Sequence, residues 1–270
     1  GKAVAHAEDG RAVLIEGAVP GDTVDVRVTK KSSRHYEGRV ERLLTLSEKR
    51  TEPPCPHFGV CGGCRWQNMQ YRWQLHYKQQ EVENNLRRIG GVELPPISPI
   101  LGCEHEYYYR NKLEFSFACR RWYTREELDT AGEISSPEPA LGFHIQGRWD
   151  KVLDVRECLL QPDPSNAIRD EIKRYALEKG LDFFDPRTNQ GLLRTLMLRI
   201  SHTTGEVMPL VQFGPEARPA RAGLRAHLHA RFPPITPSLS LSHDTLTPPL
   251  SDHYHPPSPR TTAPPHTDPR

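Results

Sequence analysis

No apolar run in this 270-residue chain approaches the length needed to span a bilayer, and nothing near its start resembles a secretory signal. A soluble, cytoplasmic protein with no membrane partner is therefore expected. Strong charge of one sign is also missing. Lys and Arg total 36 against 34 Asp and Glu, a formal net charge of +2, which is too mild by itself to identify a nucleic-acid partner. Only six cysteines occur, and none follows Cys158. The length permits one or two proper cores, so disulfide staples are not needed, and free thiols suit a reducing compartment. The chain opens on Gly1, so its beginning is expected to be missing or processed.

What is present is concentrated. Cys55, Cys61 and Cys64 fall within the run Cys-Pro-His-Phe-Gly-Val-Cys-Gly-Gly-Cys, and thiolates are the soft ligands that select zinc, copper(I) or iron–sulfur clusters. Gly59, Gly62 and Gly63 let so short a loop bend. A structural zinc site usually shows two close ligand pairs; here one spacing is long and no second pair follows, which turns the reading towards an iron–sulfur cluster with a distant fourth ligand. Three thiols could supply it. Cys119 ends the alternation Leu113, Phe115, Phe117 and reads as a small buried hydrophobe. Cys103 lies in a polar loop, whereas Cys158 leaves the strand-like stretch Lys151 to Val155 just before Pro162 and Pro164. Chemistry alone favours Cys158 only slightly over Cys103. Zinc bound by a structural protein is the competing reading.

Charge is unevenly placed despite its near balance. Lys30, Lys31, Arg34, Arg39 and Arg42 lie close together, and Arg65, Arg72, Lys78, Arg87 and Arg88 surround Trp66, Tyr71, Trp73 and Tyr77. Cations neutralise phosphates and aromatic faces stack on unpaired bases, so RNA is a natural partner. The bland alternative is a solvated face over a packed helix.

Along the chain, Val13 to Ile15, Val24 to Val28 and Gly38 to Leu44 read as strands of a small barrel, with a turn at Val19-Pro20-Gly21-Asp22. A helix runs from Gln70 to Ile89 and stops at Gly90-Gly91. Lys112 to Phe117 and Ala140 to Ile145 read as strands on either side of an acidic loop, Thr124 to Pro139. A helix capped by Ser165 and a hairpin of Leu192 to Ile200 with Val207 to Phe213 follow. Pro209 inside that last strand suggests that its pattern is already disturbed. Half of the chain's 26 prolines fall after Gly214, and such a segment is expected to be disordered. His253, His255 and His266 there are expected to be solvated rather than metal-binding.

With these residues in view, the chain resembles the RNA uracil-5-methyltransferase family, whose members methylate C5 of uridine in 23S ribosomal RNA or in transfer RNA. The likeness rests on the cysteine loop, Tyr109-Arg-Asn-Lys-Leu-Glu-Phe115, Gly142-Phe-His144, Asp154-Val-Arg-Glu-Cys158 and Gly191-Leu-Leu-Arg-Thr-Leu-Met-Leu-Arg199. It implies an α+β protein: a TRAM/OB-like RNA-binding barrel over residues 1–51, an iron–sulfur central domain over 52–213 and a Pro-rich tail over 214–270. It implies a [4Fe-4S] cluster held by Cys55, Cys61, Cys64 and Cys158, and phosphate contacts from Arg65, Lys78, Arg110, Lys112 and Arg199, with Phe58 and Trp66 as stacking candidates. Lys112 or Arg110 could equally pair with Glu114 or Glu81. The likeness further implies S-adenosylmethionine as methyl donor and 23S ribosomal RNA as substrate for a monomer. The family's Rossmann-like catalytic domain, with its glycine-rich turn and catalytic cysteine, is not found after Phe213. The expectation is therefore an inactive chain with no catalytic residue and no S-adenosylmethionine site, the alternative being a stand-alone iron–sulfur RNA-binding module.

Overall fold

The computed structural model describes residues 1–131, 137–214, 218–233 and 238–241. The first four strands, β1 (Ala3–His6), β2 (Ala12–Glu16), β3 (Thr23–Lys31) and β4 (His35–Thr45), form one sheet in the order β1-β2-β4-β3. β2 and β4 run parallel, and the two outer pairs are antiparallel. The expected barrel is corrected on this point: β1 and β3 are the edges of an open sheet, because the parallel β2–β4 pairing puts both of their neighbours on the outside. The apolar side chains Val13, Ile15, Val24 and Val26 line a trough along this sheet.

Helix α1 (Tyr71–Asn84) continues as a π-turn over Asn85–Ile89. None of its residues is buried, and Val82, Leu86 and Ile89 stay exposed. Then come β5 (Lys112–Ala118), β6 (Arg121–Trp122), α2 (Arg125–Ala131), β7 (Ala140–His144), β8 (Val152–Asp154), α3 (Ser165–Glu178), β9 (Leu193–Ile200), β10 (Val207–Phe213), α4 (Arg218–Arg231) and β11 (Ser238–Leu241). The acidic loop expected over Thr124 to Pro139 contains α2; residues 132–136 of it lie outside the described residues. The second sheet is mixed, in the order β11-β10-β9-β5-β7-β8-β6. Alternation decides its faces: Leu113, Phe115 and Phe117 of β5 and Leu196 and Leu198 of β9 point inward and meet Ile168, Ile172 and Ala176 of α3. In β7, a Cβ at Gly142 would sit 2.0 Å from the Leu153 carbonyl oxygen, so only glycine admits the close approach of β8.

Of the tail expected to be disordered, residues 218–231 are instead helical, and residues 242–270 lie outside the described residues. α4 follows Phe213 closely, and its Leu224 and Leu228 are buried in the same core. Proline content averaged over the tail hid this helix, because its single proline, Pro219, sits in the first turn, where a missing N–H costs nothing. Pro209 does not break β10 either; β11 pairs only from Leu210 onward, leaving the proline short of the flanked stretch. His253, His255 and His266 lie outside the described residues.

Candidate nucleic-acid interface and thiol cluster

The cysteine loop is docked by its own backbone. Phe58 N–H donates to the Cys55 carbonyl and Cys61 N–H to that of His57, closing successive turns. Gly62 N–H then donates to the His144 carbonyl of β7 at 3.2 Å, and Cys61 bridges Ile145. An added Cβ at Gly62 would lie 2.5 Å from that same carbonyl oxygen.

Cys158 is positioned from the other side. Its N–H donates to Asn166 Oδ1 (2.9 Å) at the start of α3, and the Asn166 amide returns a bond to the Cys158 carbonyl. Arg169, 1% exposed, donates to Asn166 Oδ1 (2.7 Å) and to the Arg156 carbonyl (2.6 Å). Arg156 N–H donates to His57 Nε2 at 3.0 Å, which ties the strand exit to the cysteine loop. Burial is the main force lowering the His57 pKa, with the charges of Arg156 and Arg169 adding to it. Asn166, Arg169 and His57 were not singled out by sequence reasoning; a buried arginine one turn after an N-terminal asparagine is a signal that only the packing reveals.

These contacts bring the four expected ligands into one neighbourhood. Burial pushes the Cys61 thiol up to about 11, and Cys64, Cys158 and Cys55 push it the same way. Cys158 is raised by burial and then by Cys64 and Cys55. Cys103 is exposed and enters none of these interactions, and Cys119 lies past the end of β5 with its N–H on the Phe184 carbonyl. Even so, among the described residues no three His, Cys, Asp or Glu side chains are gathered into a metal-holding group. The expectation of an iron–sulfur domain is corrected accordingly. Cys158 is drawn into the hydrophobic core with Cys64 packed against it, whereas Cys55 and Cys61 stay half-buried on the loop. As a donor set, four sulfurs still fit a soft metal.

Beside the thiols lies a cavity of about 400 Å³, walled by the cysteine loop, the first turns of α1, residues 103–110 and Leu160. Its walls are tied together. Tyr71 Oη accepts from Cys103 N–H at 2.6 Å, Gln74 donates to the Trp66 and Met69 carbonyls, and Tyr108 and Arg110 N–H groups donate to the carbonyls of Leu159 and Leu160. Arg65, Lys78 and Arg110 all border it, together with Trp66, Tyr71, Tyr107 and Tyr109. Among the described residues none of these three cations makes an ion pair. The other two candidates stand elsewhere: Lys112 and Arg199 are cross-strand partners of β5 and β9, and Lys112 pairs with Glu114 at 3.8 Å. Phe58 is half-buried and does not line the cavity. Gln67, Tyr107 and Tyr109 were missed by sequence reasoning, because they reach the cavity only through the folding of two separate loops.

No family model matches the chain. It is 46% identical to an uncharacterized RNA methyltransferase of Bacteroides thetaiotaomicron over 78% of this chain and 46% of the relative. Identity is 44% to one of Porphyromonas gingivalis, over 84% and 50%, and 36% to one of Chlorobaculum tepidum, over 83% and 47%. The chain thus spans about half the length of the curated relatives it matches. In structure it is similar to the Pyrococcus abyssi tRNA (uracil-54, C5)-methyltransferase in complex with S-adenosyl-L-homocysteine, with a TM-score of 0.53 and 22% identity over 81% of this chain and 48% of that one. This match corrects the expected fold class. A barrel and an iron–sulfur domain set apart from an absent methyltransferase domain give way to two sheets that follow a methyltransferase's own fold over four-fifths of the chain. The expected inactivity finds no support in these likenesses. No described helix is long and apolar enough to cross a membrane.

Proposed function

We propose, on its 46% and 44% identity to two RNA methyltransferases over about half of their length, that the protein belongs to that family, that it methylates C5 of a uridine in RNA, and that this chain supplies the surface that holds the RNA. The observation that carries the reading is the meeting of Arg65, Lys78 and Arg110, unpaired among the described residues, with four aromatic rings around one cavity. Cations placed this way neutralise phosphates, and rings accept unstacked bases. Lys112 and Arg199 extend the positive surface along the sheet. Of the two RNA classes that the resemblance offers, 23S ribosomal RNA is the one proposed, on the cysteine loop. S-adenosylmethionine supplies an electrophilic methyl group when bound; none of the described residues is assigned to hold it. Cys55, Cys61, Cys64 and Cys158 are the thiols that would hold a [4Fe-4S] cluster or another soft metal, and their part is to pin the loop to the core beside the RNA.

Incubation with S-adenosylmethionine and unmodified 23S or transfer RNA, followed by nucleoside analysis, tests this. The expected product is 5-methyluridine from the 23S substrate, and replacing Arg65, Lys78 and Arg110 together by alanine should lower RNA affinity at least about tenfold at moderate salt. Methylation of neither RNA would overturn the reading. Iron and sulfide content of anaerobically purified protein tests the thiols: Cys158→Ala should remove bound metal, and unchanged metal content would refute the ligand set.

A further inference from the structure

Gln67 is nine-tenths buried, lines the cavity beside the thiols, and its Oε1 has no hydrogen-bond partner. The Cys64 thiol nearby is raised by burial, and the Gln67 amide works against that rise. A buried acceptor left unsatisfied forfeits the hydrogen bond it would have made to water. Such an atom at a cavity wall points to a donor arriving from outside the chain.

What arrives must match the rest of the wall. Tyr107 and Tyr109 line it as aromatic rings, and Arg65, Lys78 and Arg110 supply three positive charges against the single carboxylate of Glu106, with His105 beside them. A ligand with a flat face, a negative group and an N–H edge satisfies all three. A nucleotide has each of them, and the volume of about 400 Å³ falls within the range that small-molecule pockets occupy. Double-stranded RNA cannot use the cavity, because paired bases present neither a free face nor a free Watson–Crick edge.

Resting on the RNA reading above, we infer that this cavity binds a single unstacked nucleotide, its base stacked on Tyr107 and Tyr109 and its N–H edge read by Gln67 Oε1, with phosphate held by Arg65, Lys78 and Arg110. The pocket therefore selects for an extruded or single-stranded nucleotide, where the charged rim alone would accept any phosphate chain.

The test compares the full chain's affinity for hexauridylate, hexacytidylate and hexaadenylate with that for an abasic ribose-phosphate hexamer of equal charge. At least one base-bearing hexamer should bind about fivefold or more tighter than the abasic one. Gln67→Leu should remove most of that ratio while leaving the abasic affinity unchanged. Tyr109→Ala, at a residue that is 48% exposed and outside the hydrophobic core, should reduce the ratio too. Arg65→Ala should weaken all probes alike. A ratio near one in the unaltered chain, or a ratio that survives both Gln67→Leu and Tyr109→Ala, would overturn the pocket and leave RNA binding standing. Failure to bind any of the probes would overturn the RNA reading as well.

Discussion

Asp22 shows how much of this molecule turns on single side chains outside the cavity. Its carboxylate is fully removed from solvent and accepts from Val19 N–H (2.6 Å), Ser47 N–H (2.9 Å), Arg50 Nε (2.8 Å) and Arg50 Nη2 (2.7 Å). Burial by itself would raise its pKa, but the Arg50 guanidinium and the two backbone donors outweigh it, and the carboxyl titrates below the ordinary aspartate range. A carboxylate lowered in the folded state stabilises above its unfolded pKa of about 3.9, and that contribution is lost as pH falls through the lower folded value. Asp22→Asn should therefore cost about 3 kcal/mol at pH 7, as expected when one partner of a buried pair is removed. Urea unfolding from pH 6 downward should show the gap between the two proteins closing below about pH 4. A gap independent of pH would contradict the assignment. Arg169 likewise fixes the segment that ends at Cys158. Arg169→Met should keep the volume, lose about 1–3 kcal/mol with the bonds to Asn166 and the Arg156 carbonyl, and raise amide exchange at Cys158.

At the scale of elements, α4 is the informative case. It packs Leu224 and Leu228 on α3, its His227 meets Glu171 at 2.5 Å, and the rings of Tyr175 and His227 lie 4.6 Å apart. Glu171 is held down to about 2, by Arg174 first and His227 after it. Leu228→Ala should destabilise the fold by about 2–5 kcal/mol, because Leu228 is 0% exposed; a loss under about 0.5 kcal/mol would mean that α4 is not part of the core. Period-2 alternation in Leu113-Phe115-Phe117 and Val207-Val211-Phe213 made β5 and β10 legible from the sequence, and Gly90-Gly91 marked where the helix after the cysteine loop stops. α4 was hidden because the prolines around it dominate any composition average. The open edge of the first sheet was hidden too, since alternating valines show which residues face inward but not which strands become neighbours. In the candidate site, Arg65 and Lys78 could be named from charge and aromatic spacing and Arg110 only alongside the family resemblance, whereas Gln67 gives no sign in sequence: its importance arises from burial at the cavity wall, a position reached only after the loop is docked.

For the molecule as a whole, the cysteine loop and its flanks act as the bracket between the two sheets. On one side Gln70 N–H donates to the Lys49 carbonyl, Thr51 N–H to that of Asn68, and the Gln70 amide to the carbonyls of Glu48 and Arg50. Arg50 and Asn68 both reach the Gly17 carbonyl, which joins this bracket to the end of β2. On the other side stand the Gly62 bond to His144 and the Cys61–Ile145 bridge, with Gln146 donating to Glu16 of the first sheet at 2.8 Å. The cavity depends on the same docking, since one of its walls is the loop and another follows Cys158. A methyl group at position 62 attacks this junction alone, because the carbonyl it would strike belongs to β7 backbone and cannot swing away. Gly62→Ala should therefore expose the amides of 61 and 62 and of 144–146 to hydrogen exchange. The Asp22–Arg50 side, held by its own bonds, should keep its protection. RNA affinity should fall along with the loop's docking, although no cation and no ring has been removed. If exchange at the loop rose and affinity did not change, the cavity wall would be irrelevant to binding, and the RNA face would have to be sought along Lys112 and Arg199 on the sheet instead.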